Sequence, residues 1–124
     1  MMDQPSALEL VTAVKEFIEQ HAMPQLSGHT AFHARVAANA LGIVARELEF
    51  GPRANADEKT RLEAMLGMTG SLDELNRELC QRIRSGVFGP DTPGFADHMR
   101  ATTIDKVGID QPTYSGLKAA RKQS

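Results

Sequence analysis

Between Ala7 and Ala22 the apolar residues Leu10, Val11, Val14, Phe17 and Ile18 recur at the spacing of one helix face. Ser6 and Glu9 stand in front of them as an S-x-x-E capping box. Pro24 is expected to stop this helix, because proline lacks an amide hydrogen and pushes the preceding residue out of helical geometry. The longest periodic segment, predicted over His29 to Phe50, sets Phe32, Val36, Ala40, Ile43 and Val44 on one side. His29 and His33 point into the middle of that side, and Arg35, Asn39 and Arg46 line one flank. Gly51 followed by Pro52 predicts its end.

Asn55 with Glu58 predicts the start of a third helix carrying Leu62, Met65 and Leu66 before Gly67. Ser71 with Glu74 opens a fourth, with Leu72, Leu75, Leu79 and Ile83 before Gly86. The string GVFGPDTP is irregular, and Thr92 then Pro93 reads as an N-cap and first helical position. A fifth helix is predicted over Pro93 to Ile109, with Phe95, Met99, Thr102, Lys106 and Ile109 on one side and Ile104 and Val107 elsewhere. Apolar residues on more than one face imply packing against several neighbours or against a second copy. No strand pattern, internal repeat or low-complexity tract interrupts this series, so the fold class is all-α: a single-domain bundle of about five helices.

Composition fits that picture. The 124 residues suit one domain, 41% hydrophobic and 24% charged content is ordinary for a globular chain, and one Tyr with no Trp leaves aliphatic residues to fill the core. The net charge of -2 divides unevenly: Lys118, Arg121 and Lys122 make residues 111–124 +3, so residues 1–110 carry -5. The expected organisation is a helical bundle over 1–110 and an extended or disordered basic tail over 111–124. An acidic body argues against a nucleic-acid partner. The longest run free of Asp, Glu, Lys, Arg and His, Val36 to Ala45, is far below the roughly 20 residues needed to span a bilayer. With a lone Cys80 and no secretory leader pattern, the expected setting is cytoplasmic, without membrane contact and without a cofactor.

Polar residues on apolar faces mark where chemistry would sit. His29 and His33 have the i, i+4 spacing of a shared metal, and His98 is a further ligand candidate. Thr30 stands where a zinc hydrolase carries its glutamate base, so the pair is read as packing or capping rather than as a metal site. His33, Arg35 and Asn39 together form a candidate clamp for a small anion, although the ordinary partner of Arg35 is Glu16 or Glu19. Asn76, Thr102 and Lys106 intrude on the stripes of the fourth and fifth helices. Buried polar groups cost a few kcal/mol unless paired, so a network of these residues shared with His33 or Asn39 is expected to be a structural device that fixes the packing, with a small-ligand pocket as the alternative in which Asn76 and Lys106 are further ligand candidates.

The segments AFHARVAANALGIVARELEFGP, LNRELCQRIRSG and HMRATTIDKVGIDQPTYS resemble a bacterial family of domains of unknown function, over about Leu10 to Ser115. The matching positions are His33, Arg35, Asn39, Glu47, Asn76, Arg100, Thr103, Lys106, Asp110, Pro112 and Tyr114. The resemblance implies a setting: such domains occur alone or C-terminal to aminoglycoside-phosphotransferase-like kinases, often encoded beside acyl-CoA dehydrogenases. It implies no catalytic residue. The expected role is a non-catalytic accessory or interaction module of a small-molecule phosphotransferase or acyl-CoA pathway, associating with itself, with a phosphotransferase-like protein, or with both. The competing reading is a ligand binder or enzyme built on His33, Arg35 and Asn39.

Overall fold

The computed structural model of the chain describes residues 4–123. The fold is all-α, with five α-helices and no strand among the described residues: α1 (Ala7–Phe17), α2 (Gly28–Leu66), α3 (Leu72–Arg84), α4 (Phe95–Asp110) and α5 (Ser115–Lys122). Ser6 caps α1, its hydroxyl accepting from the Glu9 amide at 3.1 Å. Beyond Phe17 the helical path continues as a π turn (Ile18–Ala22) and a 3-10 turn (Met23–Gln25) that accommodates Pro24, so the chain leaves the helix at Leu26 rather than at the proline.

Five helices are present, but they are not the five the pattern predicts. The second and third merge, because α2 runs from Gly28 to Leu66 with Pro52 inside it. Gly51 does not take the left-handed conformation that ends a helix, whereas Gly67 does, at φ +67°. Glu47, one turn earlier, lies over Gly51: a Cβ there would come within 2.9 Å of the Glu47 Oε1. Asn55 and Glu58 are therefore helix interior, not a cap. The fifth α-helix comes from the tail, where Ser115–Lys122 form α5 in place of the extended or disordered segment expected over 111–124. Leu117 anchors it at 3% exposure, and Gly108 of α4 leaves room for Arg121, whose Nη2 would stand 2.7 Å from a Cβ at that glycine. One buried leucine in eight residues, with the matching glycine on another helix, forms too short a period to read from sequence.

The chain divides into two compact units between Gly51 and Pro52. In the first, Ala38 is the one buried hydrophobic residue among those described. Around it Ala31, Ala34, Leu41 and Ala45 are half-buried and Gly42 is buried, so the inward side of α2 here is its small-residue side. α1 approaches on that side, with Lys15 Cε 3.3 Å from where a Gly42 Cβ would be. The side expected to face a core is outside: Phe32 is 61% exposed, Val36 49% and Val44 43%, Ala40 is exposed, and Ile43 alone is half-buried. α1 likewise exposes Leu10, Val14 and Phe17.

The second unit holds the hydrophobic core. Leu62 and Leu66 of α2, Leu75 and Leu79 of α3, and Phe88 from the following loop form one cluster, flanked by Met65, Met68, Leu72 and Phe95. α3 begins with a complete capping box: the Ser71 hydroxyl accepts from the Glu74 amide at 3.1 Å and the Glu74 carboxylate accepts from the Ser71 amide at 3.4 Å. Phe88 packs edge-on against Phe95 at 6.3 Å, and the Arg82 guanidinium lies over the Phe88 ring, 5.6 Å from its centroid. α4 starts two residues later than predicted, from Gly94 at φ +81°. The Thr92 hydroxyl is engaged in the preceding loop, accepting from the Gly89 amide at 2.8 Å.

Candidate functional site

The polar residues that converge do so in the second unit, on α2, α3 and α4. Glu58 and Arg61 lie one turn apart on α2, on the side that also carries Leu62 and Met65 into the core. Asn76 of α3 donates through Nδ2 to Glu58 Oε2 at 2.8 Å and to the Leu72 carbonyl at 3.1 Å. Arg61 reaches α4: its Nε donates to His98 Nδ1 at 3.1 Å and its Nη2 donates to Thr102 Oγ1 at 3.1 Å. His98 and Thr102 are four residues apart and so share one face of α4.

His98 is 2% exposed and is the one buried polar or charged residue among those described. Because its Nδ1 accepts from Arg61, the neutral ring carries its proton on Nε2. Burial first, and then the adjacent Arg61 guanidinium, hold its pKa below the ordinary imidazole value, with Glu58 opposing them. The ring is thus kept neutral and serves as an acceptor for a cation. No buried side-chain nitrogen or oxygen among the described residues lacks a hydrogen-bond partner. Such a satisfied set fixes the register of α2, α3 and α4 around the leucine core.

Of the residues singled out from sequence, Asn76 and Thr102 enter this network, and Lys106 is exposed on α4. His33, Arg35 and Asn39 belong to the first unit and are exposed there, as is His29. His33 meets the Phe32 ring edge-on at 5.6 Å. Glu19 pairs with Lys15 at 2.8 Å rather than with Arg35. Among the described residues no three of His, Cys, Asp or Glu are grouped to hold a metal ion. His98, considered as a metal ligand, has its Nδ1 committed to Arg61.

Sequence reasoning missed Glu58 and Arg61. In the sequence Glu58 reads as part of a capping signal that the continuous helix does not use, and an arginine one turn after it resembles any solvated charge. The available signal was their spacing, i and i+3, on the same side as Leu62 and Met65. Basic residues gather elsewhere in this unit: Lys118, Arg121 and Lys122 line an open pocket of about 440 Å³ with Pro112 and Leu117.

These features define an all-α domain with one leucine core, an internal polar network and no described helix long and apolar enough to cross a membrane. The chain belongs to the family of the domain of unknown function DUF6285, whose profile matches residues 24–114. The match takes in α2, α3 and α4 and leaves α1 and α5 outside it. Neither a curated protein nor a solved structure matches the chain.

Proposed function

We propose that the protein is a non-catalytic interaction module whose N-terminal unit is the contacting surface. The carrying observation is the mismatch in that unit: one hydrophobic residue is buried, while Leu10, Val14, Phe17, Leu26, Phe32, Val36, Val44, Leu48 and Phe50 are each more than a third exposed. Single exposed hydrophobics are ordinary, but nine of them over so short a unit with one buried hydrophobic residue are what an association surface would leave. The polar network fits the same reading, since His98 and Arg61 are spent on each other and on Thr102.

The pathway we assign, as accessory to a small-molecule phosphotransferase or acyl-CoA enzyme, is supported by the resemblance set out above. Affinity capture of the full chain from its source cells, beside a Val36→Glu chain, tests it. A phosphotransferase-like protein held by the wild type and lost by the variant supports the assignment. Equal recovery by both chains, or recovery of no such protein, refutes it.

A further inference from the structure

The second unit carries a group of cations that its internal polar network does not use. Lys118, Arg121 and Lys122 line an open pocket of about 440 Å³ whose remaining walls are Pro112 and Leu117. The three stand at i, i+3 and i+4 on α5, within a sector of about 100° at 100° per residue. Arg121 is placed by packing: its Nη2 would stand 2.7 Å from a Cβ at Gly108, so the guanidinium lies over bare backbone of α4. Among the described residues none of the three cations has an ion pair, and Asp105 and Asp110 of α4 are not paired with them.

Like charges at this spacing destabilise a helix, and one of eight residues has little stability of its own. The helix dipole accounts for part of the arrangement, since Arg121 and Lys122 stand in the last turn, but Lys118 does not. A bound anion removes the repulsion. An arginine fork reaches two oxygens of one group while lysine ammoniums act as point charges, a combination that suits a phosphate or diphosphate better than a single carboxylate. The volume is that of a small-molecule site, and Pro112 and Leu117 offer the rest of the ligand an apolar wall. Residues 52–110 carry eight Lys and Arg against ten Asp and Glu, so the positive charge of this unit ends with the pocket. That is too narrow a basic surface for a nucleic acid.

We infer that the α5 pocket binds a small soluble phosphate or diphosphate ester. The site is independent of the exposed N-terminal surface. Calorimetric titration of the full chain with inorganic pyrophosphate, at an ionic strength held constant with sodium chloride, tests it. Lys118→Gln/Lys122→Gln removes two pocket cations at exposed positions. Arg53→Gln/Lys59→Gln removes the same charge from exposed positions of α2 outside the pocket. The expected result is saturable binding by the wild type and the α2 variant, with the dissociation constant raised at least about tenfold in the α5 variant. Circular dichroism of the α5 variant is expected to match that of the wild type.

No saturable binding below about 10 mM pyrophosphate overturns the inference. Equal weakening in the two variants also overturns it, because the response then reports the charge of the whole chain. Vesicles of phosphatidylcholine with phosphatidic acid, and a single-stranded oligonucleotide, separate the sources of phosphate. A chain that binds the vesicles without responding to free pyrophosphate overturns the soluble ligand. An oligonucleotide held more tightly than pyrophosphate, and lost on the α5 substitution, overturns the small one.

Discussion

Replacing His98 by alanine is the sharpest test of the polar network. The ring is 2% exposed, and Arg61 Nε donates to it at 3.1 Å. Truncation removes a buried ring smaller and more polar than Phe, whose loss to alanine costs about 3–5 kcal/mol, so about 2 kcal/mol is the appropriate share for packing. It also deprives Arg61 of an acceptor. A buried donor left unmet costs about 1–3 kcal/mol, and the lower end applies because Arg61 is half-buried and water reaches it. The expected destabilisation is about 3 kcal/mol, a fall in Tm of roughly 12–24 °C for a cooperative unit of this size.

The same residue gives a pH dependence whose sign follows from its environment. Burial and the Arg61 cation lower the His98 pKa in the fold, while in the unfolded chain it titrates near the ordinary value of about 6.5. Between those two values the unfolded state binds more protons, so stability falls as pH is lowered from about 6.5 and the loss is complete below the folded value. Above about pH 6.5 the contribution is constant. His98→Gln keeps an acceptor for Arg61 but cannot titrate, so its urea midpoint is expected to lose the part of the acid slope that His98 supplies. Urea unfolding at a series of pH values, with an Arg61→Ala/His98→Ala cycle, reads both effects. A His98→Ala chain within about 0.5 kcal/mol of wild type, or an acid slope unchanged in His98→Gln, would refute the reasoning.

Leu75→Ala, at a position with 0% exposure in the centre of the core cluster, is expected to cost about 3–5 kcal/mol, read by urea unfolding. Deleting the chain from Leu117 onward is expected to lower Tm by about 8 °C or more, since it removes a residue 3% exposed and most of α5; an unchanged melt would show that this helix contributes nothing. Pro52→Ala is expected to raise helicity and stability by about 1–3 kcal/mol, because alanine restores a hydrogen bond and removes ring strain inside α2. A loss of stability there would mean that the proline shapes a bend the fold requires.

The all-α class and the start and end of α3 were legible because each rests on local chemistry: helical periodicity, the reciprocal bonds of Ser71 and Glu74, and a glycine in the left-handed region after the last turn. The merging of two predicted helices was not, because Gly51 and Pro52 are stop signals only where nothing opposes them. Gly51 is buried under Glu47, and Leu62 and Leu66 further along are held in the core, so packing sustains the helix through a residue that costs it a hydrogen bond. The network was half legible: Asn76 and Thr102 were visible as polar residues on apolar stripes, whereas Arg61 became significant only when α4 brought His98 to it.

The largest departure from the pattern is also the most informative. Phe32, Val36 and Val44 have the periodicity of a core face, yet they are exposed, while the alanines and glycine on the other side of α2 are buried or half-buried. Sequence periodicity reports which residues are to be taken out of water and does not say by which chain. Where the same stripe pattern is covered within the chain, as with Leu75 and Leu79 of α3, it has built a core. Left uncovered over α1 and the first half of α2, it leaves large apolar side chains in water, which is the observation the proposed interaction role rests on. That difference is why the proposed interaction role is set in the first unit, whereas His98 and Arg61 belong to the packed architecture of the second.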